Sequence, residues 1–200
     1  MLKRYLLAPG PTQIPPEVLL KMAEPMVHHR NPMFEVVVDE VRENLRHLFG
    51  TRNEVLIFCS SGTGAMEGAV TNMLSPGDKA VVVRSGKFGE RWTEICGAYG
   101  VECVNIDLPW GDVLEPGAVE KALKENPDAK AVYMQATETS TGTMFPVREV
   151  AAIVRKCPGT LMVVDGITGV GVFPLPMDEW GIDVLIGGSQ KALMLPPGLA

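Results

Sequence analysis

Six short apolar runs, rich in β-branched residues, recur along the chain without a regular alternation of apolar and polar positions. They are VLIFCS from Val55, KAVVVRSG from Lys79, VECVNID from Val101, AKAVYMQAT from Ala129, TLMVVDG from Thr160 and DVLIGGS from Asp183. Runs of this length and composition are typical of strands whose two faces are both buried. We therefore predict six strands in a largely parallel sheet.

Segments with apolar residues at helical spacing lie between and before these runs. Four of them follow the first strand, at 64–74, 89–100, 116–126 and 147–157, and two precede it, at 16–29 and 33–50. Pro16 and Pro32 are placed where the first turn of a helix tolerates proline, and Gly50 ends the second of the early segments. An alternation of strands and helices predicts an α/β fold with helices on both faces of the sheet.

Composition and charge restrict the classes of function. The 200 residues are 46% hydrophobic, which predicts a globular protein with a sizeable core. A net charge of -6 disfavours nucleic acid as a partner, because phosphate binding needs clustered Lys and Arg. No apolar run has the length of a signal-peptide core or a membrane span, so we expect a cytoplasmic protein. Four scattered cysteines, without CxxC or a histidine at ligand spacing, predict reduced thiols and no metal site.

Ligands of open α/β sheets bind beyond the carboxyl ends of the strands, so the residues after each run are the first candidates. Ser61, Gly62 and Thr63 lie in SSGTGAMEG, a turn that leads from a predicted strand into a helix. Backbone N–H groups at a helix N-terminus and hydroxyl side chains bind phosphate. An ordinary N-cap has the same composition. The turn is neither a Walker loop nor a GxGxxG fingerprint.

An acid and an amine follow two later runs. Asp165 comes directly after LMVV, where a buried carboxylate needs a cationic or hydrogen-bonded partner, although it could also cap the loop GITGVG. Lys191 lies between IGGSQ and ALMLPPG, where poor solvation lowers the pKa of an amine and makes it a nucleophile, although it could also be a surface lysine. A phosphate cradle, an acid and an amine at the ends of strands in one sheet are the requirements of pyridoxal 5′-phosphate.

The motifs around these residues resemble those of the class V aminotransferases, in particular the alanine–glyoxylate and serine–pyruvate aminotransferases. LLAPGPTQIPPEV, SSGTGAME, LSPGDKAVVV, SGKFGERW, TETSTGTMFPV, VVDGITGVG and GIDVLIGGSQKALMLPPG follow one another in the family's order and cover essentially the whole chain. The resemblance implies the large domain of a fold type I pyridoxal-phosphate transferase. Residues 1–15 would be an N-terminal segment near the active site, and residues 16–200 a cofactor-binding domain that is incomplete at its C-terminal end. The small C-terminal domain, with its arginine for the substrate carboxylate, would lie outside the chain.

The resemblance also implies roles for individual residues. Lys191 would form the Schiff base with pyridoxal 5′-phosphate and carry the proton between the substrate and the cofactor, and Asp165 would pair with the pyridine nitrogen. The segment Ala8 to Pro11 would line the substrate pocket. The remaining cofactor contacts would be Ser61, Gly62, Thr63 and Gln190 at the phosphate, Phe88 and Ile167 on the two faces of the ring, and Thr139 near the phenolic oxygen. Many members of the family have Trp at the position of Phe88.

The function that the resemblance implies is a ping-pong transamination from a small amino acid, alanine or serine, to glyoxylate or pyruvate. Members of the family are homodimers, and the apolar helices before Val55 would serve that contact. An aminoethylphosphonate or phosphoserine transaminase and a non-catalytic scaffold subunit remain alternatives. A cysteine desulfurase-like lyase is a further alternative, although such lyases have His directly before the lysine, where this chain has Gln190.

Overall fold

The computed structural model describes residues 5–200, so the first four residues of the predicted N-terminal segment 1–15 lie outside it. The helices of the described chain are α1 (Pro16–Met22), α2 (Pro32–Phe49), α3 (Gly62–Met73), α4 (Lys87–Ala98), α5 (Pro116–Glu125), α6 (Val147–Val154) and α7 (Met177–Trp180). The strands are β1 (Lys79–Arg84), β2 (Glu102–Asp107), β3 (Ala129–Gln135), β4 (Thr137–Glu138), β5 (Thr143–Met144), β6 (Leu161–Asp165) and β7 (Val184–Ile186).

Five strands form one parallel sheet in the order β2-β1-β3-β6-β7, and β4 and β5 form a short antiparallel hairpin beside it. Successive side chains of β1 point to opposite faces. Val81 and Val83 pack in the core that contains α5 and α6, whereas Val82 packs in the core that contains α3 and α4. All three valines are fully buried. The predicted mostly parallel sheet with helices on both faces is confirmed.

The prediction of a strand from Val55 is wrong. Val55 to Phe58 form no strand, and Leu56, Ile57 and Phe58 are exposed by 67%, 46% and 44%. A strand needs a hydrogen-bonding neighbour, which an apolar run does not reveal. Phe58 instead pairs with Ala200, and their backbones exchange two hydrogen bonds, of 2.8 and 3.1 Å. Such an exchange is the hydrogen-bonded pair of an antiparallel ladder. The segment lines an open cleft of about 420 Å³ that contains none of the predicted site residues.

Helix boundaries follow local signals. Asn31 caps α2 by accepting a hydrogen bond from the Met33 N–H at 2.9 Å, Pro32 occupies the first turn, and Gly50 ends the helix with a φ of 61°. The first helix is shorter than predicted: α1 ends at Met22, not at residue 29, and the bend before Pro25 interrupts the apolar pattern.

The described residues contain neither a helix of membrane-spanning length and apolarity nor three potential metal ligands grouped together. The four cysteines are unpaired; Cys96 is buried and Cys59 is exposed.

The order of the strands creates a crevice at one edge of the sheet. From β1 the chain crosses to β2 on one side, and from β2 it crosses back to β3 on the other side of β1. The loops after β1 and β3 therefore lead away from each other. Open α/β sheets bind ligands in the gap between two such loops. Gln135, Asp165 and Ile186, the last residues of three neighbouring strands, lie side by side in the register of the sheet.

Candidate active site

The N-terminus of α3 has unused hydrogen-bond donors. Ser61 is the N-cap residue, yet its hydroxyl makes no capping bond to the helix. Gly64 and Ala65 donate to the Ser61 carbonyl, at 2.9 and 3.3 Å, but within residues 5–200 the N–H groups of Gly62 and Thr63 have no acceptor. Free N–H groups at the positive end of a helix dipole favour an anion. This end of the helix therefore has donors available for an anion such as phosphate.

The N-terminus of α4, the helix that packs beside α3, is already occupied by side chains. Glu138, which is fully buried, accepts hydrogen bonds from the N–H groups of Phe88 at 3.1 Å and Gly89 at 3.0 Å. Ser140 accepts from the Lys87 N–H at 3.1 Å and donates to Glu138 at 2.6 Å. Because these donors are satisfied, α4 does not compete with α3 for an anion. Glu138 is not among the site residues predicted from the sequence.

Replacing Glu138 by alanine is expected to lower the free energy of unfolding by about 3 kcal/mol, because it leaves buried N–H groups without an acceptor. Glu138→Gln keeps one acceptor oxygen and should lose less. Urea unfolding of the cofactor-free protein measures both, with Glu149→Ala on the exposed face of α6 as the control. A loss in Glu138→Ala no larger than in the control would show that Glu138 does not cap α4.

Asp165 ends β6 and is 6% exposed. One of its carboxylate oxygens accepts a hydrogen bond from the Ile167 N–H at 2.9 Å, so the predicted local capping of the loop is present. Burial raises the pKa of Asp165 to about 6; the Ile167 hydrogen bond opposes the increase, nearby Glu138 adds to it, and Arg91 and Lys191 oppose it. One backbone bond does not compensate for the lost hydration, and among residues 5–200 the carboxylate forms no salt bridge.

Lys191 lies beneath the N-terminal segment. Its side chain packs so closely on Gly10 that a Cβ added to that glycine would lie 2.6 Å from the Lys191 Nζ. Thr12 fixes the backbone here, because its N–H donates to the Gln190 carbonyl at 2.9 Å and its hydroxyl to the Lys191 carbonyl at 2.8 Å. Burial lowers the pKa of Lys191, and the charge of Asp165 opposes this decrease. The amine and the acid are thus close enough to interact.

Ile167 lies between two glycines of the site. A Cβ on Gly62 would collide with the Ile167 side chain, and a Cβ on Gly188 would lie 3.2 Å from it. The same Cβ on Gly188 would lie 3.2 Å from Gln190 Oε1, a buried oxygen that accepts no hydrogen bond from the described residues. A buried acceptor without a donor is costly, which favours a ligand or water that donates to it.

Phe88 and Thr139 lie on the loops after β1 and β3. Phe88 is half-buried in the first turn of α4, and the guanidinium of Arg91 lies 5.0 Å from the centre of its ring. The Thr139 hydroxyl donates to Thr168 Oγ1 at 3.1 Å, and Thr137 and Thr168 share a hydrogen bond of 2.5 Å. The hydroxyl of Thr139 is thus held by the loop that follows Asp165.

The structure brings the predicted site residues to one edge of the sheet. The Ile167 side chain packs against Gly62 and Gly188. The charges of Asp165 and Lys191 act on each other. Three residues that the sequence analysis did not single out join them, namely Thr12, Arg91 and Glu138. Arg91 had one usable signal, since it follows Phe88 by three positions and so lies on the same helix face.

Comparison with known proteins identifies the family. A sequence profile described as Aminotransferase class-V matches residues 4–200. The small subunit of a soluble hydrogenase from Synechococcus is 42% identical over 99% of the chain, and an L-aspartate–glyoxylate aminotransferase from Paracoccus denitrificans is 37% identical over 96%. The chain spans about half the length of these relatives, 52% and 50% respectively.

A solved structure agrees. The alanine–glyoxylate aminotransferase of Nostoc superimposes on the whole chain with a TM-score of 0.93 at 34% identity, and the chain covers 52% of it. A family match over nearly all residues, together with this superposition, leaves one conclusion. The chain belongs to the class V aminotransferases.

Proposed function

We propose that the protein is a pyridoxal-phosphate-dependent transaminase that transfers an amino group from a small amino acid to glyoxylate or pyruvate by a ping-pong mechanism. The observation that carries the proposal is the amine of Lys191, poorly hydrated and close to the buried Asp165, at the edge of the sheet where α3 offers free N–H donors.

The residues present fit pyridoxal 5′-phosphate, the cofactor that the family implies. A phosphate ester matches the free N–H groups of Gly62 and Thr63 with the hydroxyl of Ser61. A protonated pyridine nitrogen supplies the cation that the buried Asp165 lacks, while Phe88 and Ile167 offer apolar faces for the ring. When bound, the cofactor supplies an aldehyde that takes up the amino group and a ring that withdraws electrons from the adjoining carbon.

The residues of the chain have distinct tasks in this proposal. Lys191 would hold the cofactor through its amine and would move the proton that the substrate loses. Asp165 would keep the ring nitrogen protonated, since its buried carboxylate is short of hydration. Gly10 and Thr12 hold the lysine in place, which supports the assignment of the described part of segment 1–15 to the site. Residues 16–200 would be the cofactor-binding domain.

The relatives bear on the substrate. One is named for aspartate and glyoxylate and the Nostoc enzyme for alanine and glyoxylate, so glyoxylate is the acceptor that their names share. We propose alanine or serine as the donor. The Synechococcus relative is named as a hydrogenase subunit, and the alternative that we test against is a scaffold subunit without catalysis. A scaffold has no evident use for a partly desolvated lysine beside a buried aspartate.

The assembly is proposed as a cytoplasmic homodimer. Support comes from the apolar residues that α1 and α2 leave exposed, which are Leu19, Leu20, Met33, Val36, Val37 and Val41. Exposed apolar surface of this extent is typical of a contact with another protein.

Addition of pyridoxal 5′-phosphate should give a visible absorption band that disappears on borohydride reduction, with the label mapped to the peptide that contains Lys191. A screen of alanine, serine and aspartate with glyoxylate or pyruvate then identifies the donor and acceptor. A label on another lysine, or no band at all, would contradict the enzyme and favour the scaffold.

A further inference from the structure

Arg91 is a half-buried cation that forms no salt bridge among residues 5–200, although its charge acts on Asp165. Lys87, on the same helix, is paired with Glu90 and Glu94. Arg91 instead donates from Nη1 to the hydroxyl oxygen of Thr63 at 3.1 Å, and its guanidinium lies 5.0 Å from the centre of the Phe88 ring. It therefore connects α4 with the N-terminal turn of α3.

The hydrogen bond from Arg91 determines what the Thr63 hydroxyl can do. A hydroxyl that accepts from a guanidinium still has its own proton to donate. The hydroxyl of Thr71, further along α3, donates its own proton to the Glu67 carbonyl at 3.0 Å. The hydroxyl of Thr63 donates to no group among the described residues. The Thr63 hydroxyl and the free Thr63 N–H thus belong to the same helix turn, where an anion is favoured.

The geometry points to Arg91 as a positioning residue for the cofactor's phosphate. We propose that its guanidinium orients the Thr63 hydroxyl as a donor to the phosphate and places its positive charge behind that hydroxyl. The inference rests on the proposed function, because it takes the anion at α3 to be the phosphate of pyridoxal 5′-phosphate. The role of Arg91 is separate from those of Lys191 and Asp165, since Arg91 acts in cofactor binding and not in proton transfer.

Equilibrium binding of pyridoxal 5′-phosphate and of pyridoxal, which lacks the phosphate, tests the inference. Arg91→Met should weaken binding of the phosphorylated compound about tenfold and that of pyridoxal much less, as expected for one charge-assisted hydrogen bond. Lys87→Met removes a charge from the exposed end of the same helix and should leave the ratio of the two dissociation constants unchanged. Thermal unfolding of the cofactor-free variants checks that they fold, and Arg91→Gln serves if Arg91→Met does not.

The double variant separates orientation from simple charge attraction. If Arg91 acts through Thr63, adding Arg91→Met to Thr63→Val should weaken binding by no more than about twofold further. The inference is overturned if the two losses multiply, or if Arg91→Met weakens both compounds equally. Binding does not require the reaction, so a protein that shows the expected ratio but transfers no amino group would contradict the proposed function alone.

Discussion

Substitution of Lys191 by alanine is expected to lower the rate of amino transfer by on the order of 10⁴-fold or more, because a nucleophile and a proton carrier are lost together. Lys191→Arg should be nearly as inactive, since a guanidinium stays protonated at neutral pH and cannot accept the substrate's proton. Single-turnover measurements of the half-reaction with alanine give the rates directly. A small amine added to the alanine variant should restore part of the rate, because it can occupy the space beside Gly10 and carry the proton.

Lys121→Ala is the matched control, because the Lys121 side chain is 76% exposed and pairs only weakly with Glu125, at 3.9 Å. It should retain the unsubstituted rate. A Lys191→Ala variant with more than about a hundredth of the original rate, without added amine, would show that another group transfers the proton, a task worth 10²-fold or more in itself.

Much of the fold could be predicted because strand, helix and site signals agree with one another. The valines of β1 are buried on both faces and lack polar alternation, which is the pattern of a central parallel strand. Asp165 and Lys191 could be singled out because strand ends in such a sheet converge on one edge. Asp165 and Lys191 are near each other because Asp165 ends β6 and Lys191 follows β7, and these two strands are paired neighbours in the sheet.

The features that the sequence did not reveal depend on partners distant along the chain. Glu138 is one acid among several in the sequence, and only the fold shows that it is buried against the N-terminus of α4. In the sequence, Arg91 has the pattern of a surface charge on an amphipathic helix. Only the fold shows that it donates a hydrogen bond to Thr63. The strand predicted from Val55 is absent for a related reason. Apolar residues predict burial, but they do not provide a neighbouring strand.

Asp165 is expected to destabilise the protein when no cofactor is bound. Its pKa, raised by burial to about 6, exceeds the ordinary value of 3.8, so the folded protein binds more protons than the unfolded chain between these values. The free energy of unfolding should therefore fall as the pH rises from about 4 to about 6. Asp165→Asn removes this effect but keeps an acceptor for the Ile167 N–H. In cofactor-free protein at pH 7 it should be more stable than the unsubstituted protein by about 3 kcal/mol.

The same substitution should lower amino transfer by on the order of 10²- to 10³-fold, because a neutral amide does not hold a proton on the pyridine nitrogen. Urea unfolding at pH 4, 5, 6 and 7 measures the stability difference, which should be near zero at the lowest pH and constant above about 6. Titrating groups that do not interact with Asp165 cancel between the two proteins. Equal stability at every pH would mean that the buried carboxylate is already compensated within the fold, and the cation that we assign to the cofactor would then have no role there. A stabilised but inactive variant is the result expected if the stability lost at this position is regained by binding the pyridine ring.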